Sequence, residues 1–425
     1  DTPELFCRVP NRQALIKDGA AYPLYDLLMQ YAPDYMDTVE SYNDDNMLLE
    51  LTDVESFEIY SMMNIREPEC QLSFLIRQDW LDALNLSAPE TWDEFVEVLR
   101  AFKNSDPNGN GKQDEIPFSA QDITNLRYAF GIDTRYYFAM DGDEYVPTVY
   151  HSQYLNYLES LQELFAEGLL DNRYYERGYG GLQNIMANNT LGCTVYYSEY
   201  AKLSTEDLRK NGVTNGIWVG IQPIKGPNGD SGVQSAGGFE NNFMISSKVS
   251  EEKAREIVRF MNWFYTKDGI DLINYGIDGV HNTANADGTH TIKKEYANFT
   301  AARKAGMLFE SFNYRFSKDA SLQYVFNGNS VDTLAETDKL FYDALGLGDK
   351  DGNGKYNFVK NCFCLYTSEW TKNSTTLEKD MNAFEEKTIT GTYYGSGLKS
   401  ELENLKTKYK AAYDEAKAAY DELKK

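Results

Sequence analysis

The chain has 425 residues, room for two or three domains and a sizeable core. Its 66 acidic and 41 basic residues give a formal charge of −25, which argues against nucleic acid and against anionic membrane surfaces, since both want basic patches. No apolar run approaches the roughly 18 residues of a membrane span, no signal peptide is present, and the chain opens on Asp1, so a mature or trimmed form is expected.

In chain order, the first strong element is "APETWDEFVEVLRAFKNSD". Thr91 can cap a helix there, and Glu94 completes a capping box. Phe95, Val98, Leu99 and Phe102 then form one apolar stripe, which reads as core. The next stretch, "SDPNGNGKQDEIP", is a ladder of oxygen ligands. Asp106, Asn108 and Asn110 occupy alternate positions, Gly111 supplies the sharp turn, Lys112 offers its backbone carbonyl, and Asp114 and Glu115 follow. Hard oxygens from three carboxylates and two amides suit Ca2+ better than a transition metal. Pro117 stands where a bidentate Glu would end an EF-hand, so Glu115 is the substitute carboxylate. "IPFSA" then reads as a strand, so the loop joins a helix to a strand and cannot open a helix pair as a sensor does. A structural ion is the preferred reading over a metal-free Asn/Gly turn.

"QYLNYLESLQELFAEGLLD" reads as a helix stopped near Gly168, "TLGCTVYY" as a buried strand, and "IWVGIQPI" as a second strand. "GPNGDSG" is a surface turn. In "NFMISSKVSEEKAREIVRFMNWFYTKDGIDLINYG", a strand and then helices are expected, with Ile257, Met261 and Phe264 facing a core. "TANADGTH" looks like a hairpin tip turning at Asn285 to Gly288. Residues 349–357, "DKDGNGKYN", resemble the first ligand ladder but carry only two carboxylates, so a tight polar turn is preferred there. At the C-terminus Leu398, Leu402, Leu405, Tyr409, Ala412, Ala416, Ala419 and Leu423 form a heptad-like stripe. One long terminal helix docked on its own lobe is preferred over a coiled coil.

Cys7, Cys70, Cys193, Cys362 and Cys364 show neither a disulfide framework nor zinc spacing, so buried free thiols are expected. His151, His281 and His290 lie in no metalloprotease motif, and no nucleophile elbow or phosphate loop is present. Tyr, Phe and Trp make up 14% of the chain. Tyrosine offers a flat apolar face with a polar tip, which is compatible with stacking on sugar. Trp80, Trp92, Trp218 and Trp263 are read as core.

"FLIRQDWLDALNLSAPETWDEFVEVLRAFKNSDPNGNGKQDEIPFS" closely resembles a segment of the family 1 extracellular solute-binding proteins, the receptors of carbohydrate ABC importers. The branch it is most similar to includes calcium-containing alginate-binding proteins and many Gram-positive lipoproteins. "YLESLQELFAEGLLD", "QPIKGPNGDSG", "YGIDGVHNTANADGT" and "EEKTITG" continue the resemblance in order. It implies an α/β, two-lobed periplasmic-binding-protein type II fold. "DTPELF" resembles a stretch that follows the first β-α-β unit, so that unit is expected to be missing from this chain. By analogy the chain crosses between lobes near Ser73, Gly238 and Phe312. The expected division is 1–73 and 239–311 in the N-terminal lobe, and 74–238 and 312–425 in the C-terminal lobe.

The resemblance also implies where ligand is met. Gln121 and Asp122 would end the strand after the calcium loop. Tyr196, Tyr197, Glu199 and Tyr200 lie on a loop that presents rings to sugar in maltose-type receptors. Phe239, Glu240 and Asn241 sit at the return crossing, and Tyr314 and Arg315 near the last one. The implied function is capture of a sugar or oligosaccharide for ABC permease subunits, by a protein held outside the cell or in the periplasm, with a lipid anchor absent from this chain. Catalysis is not expected. Two alternatives stand: a glycosidase with paired carboxylates, and a calcium-stabilised surface adhesion protein.

Overall fold

The computed structural model describes residues 3–7, 9, 12–41, 51–66, 72–133, 137–197, 200–234, 238–286, 288, 290–296, 299–307, 358–359, 365 and 367–424. The 349–357 run, Glu199, Tyr314, Arg315, Cys70, Cys362, Cys364 and the crossing expected near Phe312 lie outside the described residues.

Ten strands organise the described chain up to residue 245: β1 (Leu5–Cys7), β2 (Met62–Arg66), β3 (Leu72–Arg77), β4 (Ile116–Phe118), β5 (Phe138–Asp141), β6 (Glu144–Pro147), β7 (Leu191–Tyr197), β8 (Trp218–Ile221), β9 (Val233–Gln234) and β10 (Gly238–Ile245). They separate into two main sheets, each with its own core. In the first, the order is β1-β10-β2, antiparallel throughout, with Phe6 opposite Met244 and Phe239 opposite Ile65. Helices Tyr25–Tyr31, Pro33–Ser41 and Glu251–Trp263 belong to this half. Its core holds Leu28, Tyr35, Val39, Phe243 and Val258. Asn262 locks the helices together by accepting from the Tyr35 backbone N–H at 2.9 Å and donating to Asp34 at 2.8 Å.

In the second sheet the order is β4-β7-β3-β8. Strand β3 runs antiparallel to both neighbours, with Phe74 opposite Val195 and Ile221, whereas β4 runs parallel to β7. Its core is aromatic: Trp80, Phe95, Phe102, Phe118 and Trp218 are fully buried, and Trp80 meets Phe102 edge to face at 5.2 Å. The Trp92–Asn104 helix forms as its sequence requires. Thr91 accepts from the Glu94 N–H, Glu94 accepts from the Thr91 N–H, and Phe95, Val98, Leu99 and Phe102 are buried.

Trp263 departs from its expected core position. It is 37% exposed, because the helix ends at this residue and Phe264, packed edge-on against it at 5.3 Å, takes the core position. Cys7 is exposed on β1, unlike the buried Cys193. The C-terminal stripe also differs from one long helix. It is two helices, Gly395–Lys408 and Lys410–Leu423, divided at Tyr409 with φ −104° and ψ 15°. The break lets Tyr409 be buried with its hydroxyl donating to Asp380 at 2.6 Å. Leu398, Leu402, Tyr409, Ala416 and Tyr420 join the core of the second sheet, so the stripe is consumed within the chain. The expected hairpin forms between Asn282–Ala284 and His290–Ile292, with Gly288 at φ +85°.

Candidate functional site

The geometry of the second sheet gathers chain ends at one edge. Strands β4, β7 and β8 all point their carboxyl ends the same way, since β3 is antiparallel to β7 and β8 while β4 is parallel to β7. Strand β3 begins at this edge, five residues after β2 closes in the other sheet, and β9 and β10 lead back from it. The carboxyl ends of parallel strands, where the chain leaves the sheet, are where open α/β sheets hold ligands.

Tyr197 closes β7 at this edge and is half-buried, as is Tyr200 at the start of the Tyr200–Lys210 helix. Tyr196, between them and the core, is only 1% exposed, so its ring has no face for a ligand; that expectation is corrected. The reason is that the rings of Tyr179, Tyr197 and Tyr200 all pack against Tyr196 and cover it. Tyr196 packs edge-on against Tyr200 at 4.8 Å and against Tyr197 at 5.3 Å. Gln183 donates from Nε2 to the hydroxyls of Tyr196 and Tyr200 at 2.9 and 2.7 Å. Sequence spacing gave no signal for Gln183, which comes from the preceding helix.

Gln121 and Asp122 lie just past β4. Gln121 is half-buried, and Asp122 is exposed and caps the following 3-10 helix by accepting from the Thr124 N–H at 2.9 Å. Phe239, Glu240 and Asn241 lie on β10, where the pairing with β2 slips between Glu240 and Asn242; their side chains lie outside the described residues. The residue that binds this edge together is Asp171, also missed from sequence. It accepts from Ser119 Oγ at 2.8 Å, from the Arg173 N–H at 3.1 Å, and from both Nε and Nη2 of Arg177. Burial pushes its carboxyl up, but these hydrogen bonds outweigh burial and hold it below the usual carboxylate range. A cavity of about 850 Å³ lies elsewhere, along the outer edge strand β8, lined by Pro89, Ile217, Val219, Ile221 and Pro223 among others.

The ligand-ladder loop sits at the opposite end of β4 and β7. Asp106 accepts from the N–H groups of Asn110 and Gly111 at 3.1 and 3.0 Å, and Gly111 takes φ +75°, as a sharp turn requires. Asn108 also donates to the Asn189 carbonyl at 3.3 Å, two residues before β7. Among the described residues, neither buried Glu115 carboxylate oxygen has a hydrogen-bond partner of full geometry. Burial pushes this carboxyl up, and the neighbouring charges of Asp114 and Asp106 add to the push. A buried carboxylate among like charges is what a bound cation would satisfy. Among the described residues, however, no three His, Cys, Asp or Glu side chains are drawn together as a metal-holding group. Asn108 and Asn110 present amide N–H groups to Asp114 at 3.2 and 2.9 Å, and an ion would need those amides turned to offer oxygen.

Comparison with known proteins bears on this geometry. The polygalacturonan/rhamnogalacturonan-binding protein YtcQ of Bacillus subtilis (strain 168) is 27% identical over 270 residues, covering 61% of this chain and 53% of the relative. The fructooligosaccharide ABC transporter substrate-binding protein FusA of Streptococcus pneumoniae is 28% identical over 252 residues, covering 55% and 45%. The chain thus spans about half the length of the curated relatives it matches. Among solved structures, the alginate-binding protein AlgQ2 without calcium ion superposes with a TM-score of 0.71 at 18% identity, covering 96% of this chain and 83% of that one. FusA in complex with kestose superposes with a TM-score of 0.66 at 19% identity, covering 100% and 88%. These likenesses establish the two-lobed, periplasmic-binding-protein type II fold. Residues 12–270 match the family described as bacterial extracellular solute-binding protein, and the chain belongs to that family.

Proposed function

We propose that this chain is the extracellular receptor of an ABC importer and captures a sugar or oligosaccharide between its two lobes. The observation that carries the reading is the convergence of β4, β7 and β8 on one edge, with the half-buried rings of Tyr197 and Tyr200 standing there. A sugar needs a stacking face and a few fixed polar groups, and this edge offers both. FusA and YtcQ are described as oligosaccharide- and polysaccharide-binding proteins, and the same ligand class is assigned here. In this reading the lobes comprise 1–73 with 239–311, and 74–238 with 312–425. Gln121, Asp122, Tyr197, Glu199 and Tyr200 meet ligand from one side. Phe239, Glu240, Asn241, Tyr314 and Arg315 meet it from the other side or the crossings. ABC permease subunits are the protein partners, and a lipid anchor would hold the receptor at the cell surface.

The Asp106–Glu115 loop is assigned a structural Ca2+, held by Asp106, Asn108, Asn110, the Lys112 carbonyl, Asp114 and Glu115. The ion neutralises the loop's carboxylates and fixes the junction between helix and β4.

Ala at Tyr197 or Tyr200 is expected to weaken sugar binding by at least about tenfold. The melting temperature should stay near that of the parent, which calorimetric titration beside a thermal melt would check. If both variants bind the parent's sugar unchanged, the site is elsewhere. Binding without turnover is expected too. An oligosaccharide incubated with the protein should return at full length by mass spectrometry, and shortened products abolished by a single carboxylate substitution would favour a glycosidase instead.

A further inference from the structure

We infer that Tyr179 is a ligand-contacting ring of this site and that Gln183 is the residue that positions the rings around it. The inference rests on the sugar-binding reading above. Tyr179 is the second residue of the Gly178–Ala187 helix and is 51% exposed. An exposed ring alone means little. This one is stacked on Tyr197, with centroids 6.1 Å apart, planes 20° from parallel and hydroxyls 3.4 Å apart. The two phenols therefore extend one another, with their polar tips side by side at the carboxyl end of β7. Tyr196 backs both rings, 6.3 Å from Tyr179 and 5.3 Å from Tyr197.

Away from Tyr196 and Tyr197, Tyr179 is flanked by glycines, Gly178 and Gly180, and a side chain begun at either would meet nothing within 4 Å. The exposed half of the ring is therefore not walled in by side chains of its two neighbours in the helix. One turn further on, Gln183 spends its amide N–H groups on the hydroxyls of Tyr196 and Tyr200. Both phenol oxygens accept there, so each phenol directs its own hydrogen away from Gln183. One side chain thus sets the tilt of the ring behind the platform and of the ring beside it.

The start of this helix is pinned by ion pairs. Arg177 is engaged by Asp171, and Arg173 by Glu176 at 3.0 Å.

The test uses the full chain on an array of neutral and uronic acid oligosaccharides, with kestose and maltotriose among the neutral probes and trigalacturonate among the acidic ones. Affinities of the bound probes are then measured by calorimetric titration. The expected result is binding of at least one probe, weakened at least about tenfold by Tyr179→Ala and kept within about threefold by Tyr179→Phe, with unchanged melting temperatures. Gln183→Leu should weaken the same probe. Gln183→Glu should largely restore it at neutral pH, since a carboxylate can hold both phenols by accepting their protons' hydrogen bonds. A parent that binds no sugar overturns the sugar-binding reading and this inference with it. A Tyr179→Ala variant that binds as tightly as the parent overturns the role of Tyr179 and leaves the receptor reading standing. Unchanged affinity in Gln183→Leu does the same for the positioning role.

Discussion

Replacing Asp171 with Ala is expected to lower the unfolding free energy by about 3–5 kcal/mol, the cost of removing one partner from a buried ion pair. The Asp171 side chain is 2% exposed and that of Arg177 is 15% exposed, so the arginine left behind has little access to water. Ser119 and the Arg173 N–H lose their acceptor as well. Urea titration at neutral pH would measure the loss, and a cost below about 1 kcal/mol would show that the arginine rehydrates. The effect should also depend on pH with a definite sign. The carboxyl is held below its usual value in the folded state. Its contribution is therefore full above the unfolded carboxylate value of about 4, and is lost as pH falls through that value toward the lower folded one. The stability gap between the parent and Asp171→Asn should narrow over that acid window and stay flat above it.

Chelation of calcium is expected to destabilise the parent by about 3 kcal/mol when the ion had been present at about a hundred times its dissociation constant. Asp106→Ala should lose that sensitivity, because the residue anchors the turn through the N–H groups of Asn110 and Gly111. Glu115→Gln should reduce the response to the ion while relieving a carboxylate whose buried oxygens have no hydrogen-bond partner of full geometry among the described residues. The two substitutions thus have opposite expected effects on the ion-free protein. Thermal melts with and without chelator, beside elemental analysis of the purified chain, would check both. A parent whose melting temperature ignores chelator and which carries no metal would show the loop to be an ordinary turn.

What could be read in the sequence was local. The Thr91–Glu94 capping box and the Phe95 to Phe102 stripe need only neighbours along the chain, and both form as written. The ring cluster in which Tyr179, Tyr197 and Tyr200 cover Tyr196 was not legible, since it draws on two helices and a strand. Asp171 and Ser119 are 52 positions apart, and their pairing depends on Leu170 lying alongside Phe118 at the edge of β4. No spacing rule foretells that meeting. Trp263 reads as core only because it lies inside a stretch resembling a family scaffold motif, whereas the stripe through Met261 and Phe264 passes it by. Tyr409 breaks a regular heptad because its hydroxyl has a partner on another helix, again a tertiary fact.

The ligand ladder and the tyrosines stand at opposite ends of the same paired strands. Strand β7 has seven residues, which at about 3.3 Å each puts roughly 20 Å between them. That is more than two screening lengths of about 8 Å at physiological salt. Through solvent, a divalent ion in the loop would therefore exert little field on a molecule at Tyr197. Any influence it had on affinity would travel as tension in the backbone, through Asn108 and its bond to Asn189. Such an influence would persist when ionic strength is raised, where a charge acting through solvent would fade.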